Sequence, residues 1–152
     1  LNAALLTAMV LAVVLMLPPI KQRLALSPDL RRLVSVDTPV ESVDFLREDP
    51  DRPERLFHSE TTGSYLMWAA PEQKVFVDAR VQLYPVELLL DYGHLSDGVK
   101  ADSLLDAYGI DGLLLDDRRQ SGLREWAIDS PEWEVRFEEA CCTYLVRRGG
   151  TQ

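Results

Sequence analysis

The sequence predicts an α/β protein: a small Rossmann-like three-layer domain, with a mostly parallel sheet and a C-terminal antiparallel hairpin, preceded by one transmembrane helix. Three observations carry this reading. Short apolar runs that stop abruptly at charge, Val75 to Val77 and Leu113 to Leu115, have the character of buried strands. Helically spaced segments alternate with them, and such alternation favours strands covered by helices. Near the C-terminus two stretches alternate apolar with polar residues, with only residues 138–142 between them, as the arms of an antiparallel hairpin do.

The chain has 152 residues, enough for one domain with a core plus an appendage. Its formal net charge of −9 would oppose a polyanion, so no nucleic-acid partner is expected. The two cysteines, Cys141 and Cys142, are adjacent. Neighbouring side chains of a strand point to opposite faces, so the pair is expected unbonded, with one thiol in the core and the other outside.

Leu1 to Ile20 carries no charge and is almost wholly apolar. At about 20 residues it matches the length of a helix that crosses a bilayer, and Pro18-Pro19 would end it near the interface. We read residues 1–20 as the last membrane helix of a longer protein, with the lipid bilayer as its partner, ahead of a signal peptide, which would want a charged leading region, or a buried core helix, which would need a larger surrounding core. Residues 21–37 read as a connector, and residues 38–148 as the α/β domain with a tail at 149–152. The basic flank of Lys21, Arg23, Arg31 and Arg32 argues, taken alone, for a cytoplasmic domain, although long domains cross membranes largely regardless of charge.

Within the domain, Thr38-Pro39 opens a helix, with Thr38 as N-cap and Glu41 completing a capping box. Val40, Val43 and Leu46 form its apolar stripe. Residues 55–59 read as a first strand, 62–70 as a short helix led by Gly63, and 74–78 as a second strand. Residues 85–92 and 103–108 read as helices, the latter ended by Gly109. Residues 111–117 form the third strand and 121–128 a further helix. Residues 133–137 and 143–146 make the closing hairpin.

Ligands of open parallel sheets bind beyond the carboxyl ends of the strands. The three predicted strands run out at His58, Ser59 and Glu60, at Asp78 and Arg80, and at Asp116 and Asp117. His58, Glu60, Asp78 and Asp116 are the residue types of a metal or acid-base site, and Arg80 suits a phosphate or carboxylate. The same charges equally suit strand ends that meet solvent, or a pair that caps nearby backbone. Tyr84, with Tyr65 and Trp68, has the chemistry to stack on a sugar ring, although aromatics at helical spacing also build cores. No glycine-rich nucleotide loop, Walker lysine or nucleophile elbow is present, and no cofactor is expected.

From Phe57 to Tyr84 the chain resembles the C-terminal soluble domain of bacterial multi-spanning membrane proteins related to the GT-C, or dolichyl-phosphate-mannose mannosyltransferase-like, glycosyltransferases. Those tails carry Phe-Asn, then Gly-Gly-Tyr-Leu-Ile-Trp, a proline, and Val-Phe-Ile-Asp-Gly-Arg followed by a tyrosine. Here Phe57, Gly63, Tyr65, Leu66, Trp68 and Pro71 match the first part, and Val75, Phe76, Asp78, Arg80 and Tyr84 the second. His58 stands where Asn is usual, Ser64 replaces the second glycine, and Ala79 replaces the glycine between Asp and Arg. The resemblance implies an extracytoplasmic domain at the cell membrane, beside the membrane portion of a parent protein that handles a lipid-linked sugar or a glycan acceptor. It carries over no catalytic residue. Asp78, Arg80 and Tyr84 are left as residues that order the domain, receive an acceptor or dock on the membrane portion. The expected function is that of a non-catalytic accessory domain that supports or positions substrate. The alternatives are a metal-assisted hydrolase or transferase site built from His58, Glu60, Asp78 and Asp116, and a purely structural or protein-interaction domain.

Overall fold

A computed structural model describes Leu6, Thr7, Met9 and residues 35–149. The chain divides into two compact units, Leu1–Ser35 and Val36–Gln152. In the first, Leu6, Thr7 and Met9 are helical. The membrane-helix reading of residues 1–20 otherwise falls outside the described residues, as do most of the connector and residues 150–152. Among the described residues no helix is long and apolar enough to cross a membrane.

The second unit is a mixed α/β domain. Its elements run α1 (Val40–Glu48), β1 (Leu56–His58), α2 (Glu60–Ala69), a 3-10 turn (Val81–Leu83), α3 (Val86–Ser96), α4 (Ala101–Tyr108), β2 (Gly112–Asp116), α5 (Ser121–Asp129), β3 (Trp133–Glu138) and β4 (Cys142–Arg147). The sheet order is β1-β2-β4-β3. Only β1 and β2 run parallel; β4 is antiparallel to both β2 and β3, so the sheet is mixed rather than mostly parallel. The hairpin is present as expected, with an irregularity between Val135 and Phe137.

The missing parallel strand is the one expected at residues 74–78, where a single bridge, Arg55 to Lys74, is all that pairs. Val77 is buried, so the apolar run does seek the core. Side chains, not a ladder, take the Phe76 and Ala79 amides. The Phe76 amide donates to His58 Nε2 at 3.0 Å, and the Ala79 amide donates to Ser64 Oγ at 3.1 Å. Gly63 makes this course possible, because a Cβ there would sit 1.9 Å from the Val77 carbonyl oxygen.

Alternation along the strands sends side chains into two cores. Phe57, Leu113, Leu115 and Leu145 join Leu95, Leu105 and Leu123 from α3, α4 and α5. Leu56, Leu114 and Tyr144 join Val43, Leu46 and Leu66 from α1 and α2. The start of α1 departs from the expected capping box: neither Thr38 nor Pro39 caps it with a side chain. Glu139, from the hairpin turn, accepts instead from the Glu41 and Ser42 amides, each at 3.3 Å, and from Ser42 Oγ at 2.7 Å. A carboxylate beside a helix N-terminus supplies both acceptors and favourable charge.

Candidate functional site

Asp78, between the second apolar run and Tyr84, is buried. Its Oδ1 accepts from the Arg80 amide at 2.8 Å and from Arg80 Nε at 2.9 Å. Its Oδ2 accepts from Arg80 Nη2 at 2.6 Å and from the Tyr84 hydroxyl at 2.9 Å. The Arg80 fork and amide, then the tyrosine, hold the carboxyl well below the usual carboxylate range, against the opposing effect of burial. All this acceptor capacity is used to fold residues 78–84 into a tight turn. Arg80 keeps 56% of its side chain exposed and also reaches Met67 Sδ at 3.6 Å.

His58 lies at the end of β1, fully buried. Nε2 accepts from the Phe76 amide, so Nδ1 carries the proton and donates to the Ser59 carbonyl at 2.9 Å. Burial lowers its pKa to about 4, outweighing the Ser59 bond and the Asp78 charge. Neither nitrogen is open to a metal.

Glu60 and Asp116 form a separate group beyond the ends of the parallel pair β1 and β2. Glu60 accepts from the Tyr92 hydroxyl at 2.6 Å and from Arg119 Nη1 at 3.1 Å. Arg119 Nε lies 3.7 Å from Asp116 Oδ2, while Asp116 Oδ1 accepts from the Arg118 and Arg119 amides, each at 3.0 Å. Burial and the Glu60 bond push the Tyr92 phenol upward. Sheet topology thus brings Glu60 and Asp116 together through Arg119, and sequence proximity brings Asp78, Arg80 and Tyr84 together. His58, Glu60, Asp78 and Asp116 do not gather as ligands of one point: among the described residues, the group that does is Glu139, Cys141 and Cys142.

Met67 and Trp68 line a shallow hollow with Ser64, Asp78, Ala79 and Arg80. Trp68 is 64% exposed and Leu83 66%, and Val81, Val86 and Leu90 are exposed as well. The sequence reading placed Trp68 with a helix and Leu83 in a connection, but no signal in one sequence says which apolar side chains a helix turns outward.

The cysteines are unbonded as expected, with Cys142 buried and Cys141 partly exposed, but their placement differs. Cys141 sits in the bend before β4 rather than within a strand. Both sulfurs therefore lie on one side, 3.1 Å apart, against the same core cluster. Comparison with protein-family models, curated proteins and solved structures finds no match.

Proposed function

We propose that residues 38–148 are a non-catalytic accessory domain of an integral membrane protein related to the lipid-linked-sugar glycosyltransferases, extracytoplasmic and anchored through residues 1–20. Its role is to sit on the bilayer surface and support the positioning of a lipid-linked sugar or glycan acceptor for the membrane portion of the parent. We also read the domain as a small three-layer, Rossmann-like variant, on the strength of the β1-to-β2 parallel crossover and the two cores.

The observation that carries the functional reading is the contrast at the Asp78 turn. Its polar groups are spent on one another, while Met67, Trp68, Val81, Leu83, Val86 and Leu90 are left facing solvent. Exposed apolar side chains beside a polar turn whose groups are satisfied internally suit docking better than turnover. The bilayer is the occupant the chain itself supplies: a charge-free stretch of about 20 residues precedes the domain, and a connector at residues 21–37 can extend at most about 60 Å. Trp68 and Arg80 are residue types suited to a lipid interface, and each large side chain withdrawn from water contributes about 1.5–3 kcal/mol. With the whole chain at a net charge of −9, the protein should prefer zwitterionic to anionic lipid.

Tryptophan fluorescence tests this. The full chain, reconstituted into vesicles of brominated phosphatidylcholine, should show quenching that disappears in Trp68→Phe and weakens in Leu83→Ser. Trp126 and the buried Trp133 serve as internal references. Equal quenching in the wild type and in Trp68→Phe would contradict bilayer docking.

A further inference from the structure

We propose that Glu139, Cys141 and Cys142 form a binding site for a thiophilic divalent cation of the zinc and cadmium class. The site lies at the β3–β4 turn, away from the Asp78 turn, and does not depend on the docking role. One ligand atom from each residue lies within 4.8 Å of the other two. Two thiolates and a carboxylate are a borderline-soft donor set, and water completes a tetrahedron.

Three features of the fold build this arrangement. The turn is closed by reciprocal backbone bonds, the Glu139 amide to the Cys142 carbonyl at 3.0 Å and the Cys142 amide to the Glu139 carbonyl at 3.3 Å. This leaves Ala140 and Cys141 at the tip. Cys141 thereby escapes the in-out alternation of a strand, and its sulfur comes to 3.1 Å from that of buried Cys142. Around an ion with metal–sulfur distances of about 2.3 Å, two tetrahedral sulfurs stand about 3.7 Å apart, so a small rotation of the half-buried Cys141 suffices.

Glu139 is oriented from outside by Ser42 Oγ and by the first amides of α1, an arrangement that fixes a ligand while leaving lone pairs for an ion. Asp116, paired opposite Cys142 in the sheet, adds a second negative charge. Arg119 partly offsets it, with Nε 3.7 Å from Asp116 Oδ2.

Binding requires no electron transfer. Each thiol releases one proton to solvent as its sulfur bonds the cation, so affinity rises with pH. Burial and the neighbouring carboxylate hold both thiols protonated in the free protein, with the Cys142 thiol raised the further. Because Glu139 also caps α1, a bound ion would tie the hairpin to that helix, and the fold should resist heat more strongly.

The test is titration of the reduced full chain with Cd²⁺ under anaerobic conditions, read by the ultraviolet thiolate-to-cadmium band. The chain has only two cysteines, so a thiolate band reports these two sulfurs. The expected result is saturation at one equivalent, protection of both thiols from a thiol reagent, and a rise in unfolding temperature. Cys141→Ser, at the half-buried position, should lower affinity at least about tenfold while keeping the fold, and Glu139→Gln should weaken binding by about the same factor. Binding that does not saturate, thiols that stay fully reactive with Cd²⁺ present, or a Glu139→Gln variant that folds and binds like the wild type would overturn the proposal.

Discussion

Both ring nitrogens of His58 are committed to backbone partners, and a proton added at Nε2 must break the bond from Phe76. The sign of the resulting pH dependence follows from the lowered pKa. The unfolded chain takes up a proton near the ordinary 6.5 and the folded chain only near about 4, so stability is fully present above pH 6.5 and falls as pH drops through that interval. The full effect is about 3 kcal/mol. Glu60 and Asp78 are also shifted, but downward from 4.5 and 3.8, so their contributions are lost at lower pH. Chemical denaturation between pH 5 and 7 should show stability rising with pH in the wild type and a flatter profile in His58→Asn. A wild-type profile without slope would mean that His58 is more accessible than its burial indicates.

At the scale of elements, the contrast between two helical glycines is a sharp check on the packing of residues 74–80. Gly63→Ala would force a Cβ into the Val77 carbonyl and against the His58 ring, and should cost about 1–3 kcal/mol or more in unfolding free energy. Gly93→Ala, inside α3 with nothing near the added Cβ, should instead stabilise by about 0.5–1 kcal/mol. The same region shows how far the sequence could be read. The runs at Leu113 to Leu115 and Thr143 to Val146 announced their strands because charge, turns and alternation agree there. The α4 terminus was legible because Gly109 adopts the left-handed conformation that glycine favours. Val75 to Val77 carries the same local signature as a strand, yet the Phe76 amide bonds the His58 ring and, just beyond the run, the Ala79 amide bonds Ser64 Oγ, side chains distant in sequence. A three-residue apolar run cannot distinguish a ladder from such side-chain anchoring. The α1 cap was misread for the same reason, since Glu139 lies almost a hundred residues away.

On the scale of the whole domain, the candidate residues were recognised as types but their grouping depended on topology. Glu60 and Asp116 meet because β1 and β2 are parallel neighbours; Asp78 stands apart because its segment never joins the sheet. The proposed function rests on Asp78, Arg80 and Tyr84 holding the fold rather than waiting for a ligand. A double-mutant cycle on Asp78 and Arg80 by urea unfolding tests it most directly. Asp78→Ala should cost about 1–3 kcal/mol, because it removes the acceptor of four part-buried hydrogen bonds, from the Arg80 amide, Nε and Nη2 and from the Tyr84 hydroxyl. Arg80→Ala should cost less, since the guanidinium is half exposed. The two losses should be non-additive by at least about 1 kcal/mol. Single and double variants with wild-type stability would contradict it, and would return the Asp78 carboxylate to the role of a site awaiting its ligand.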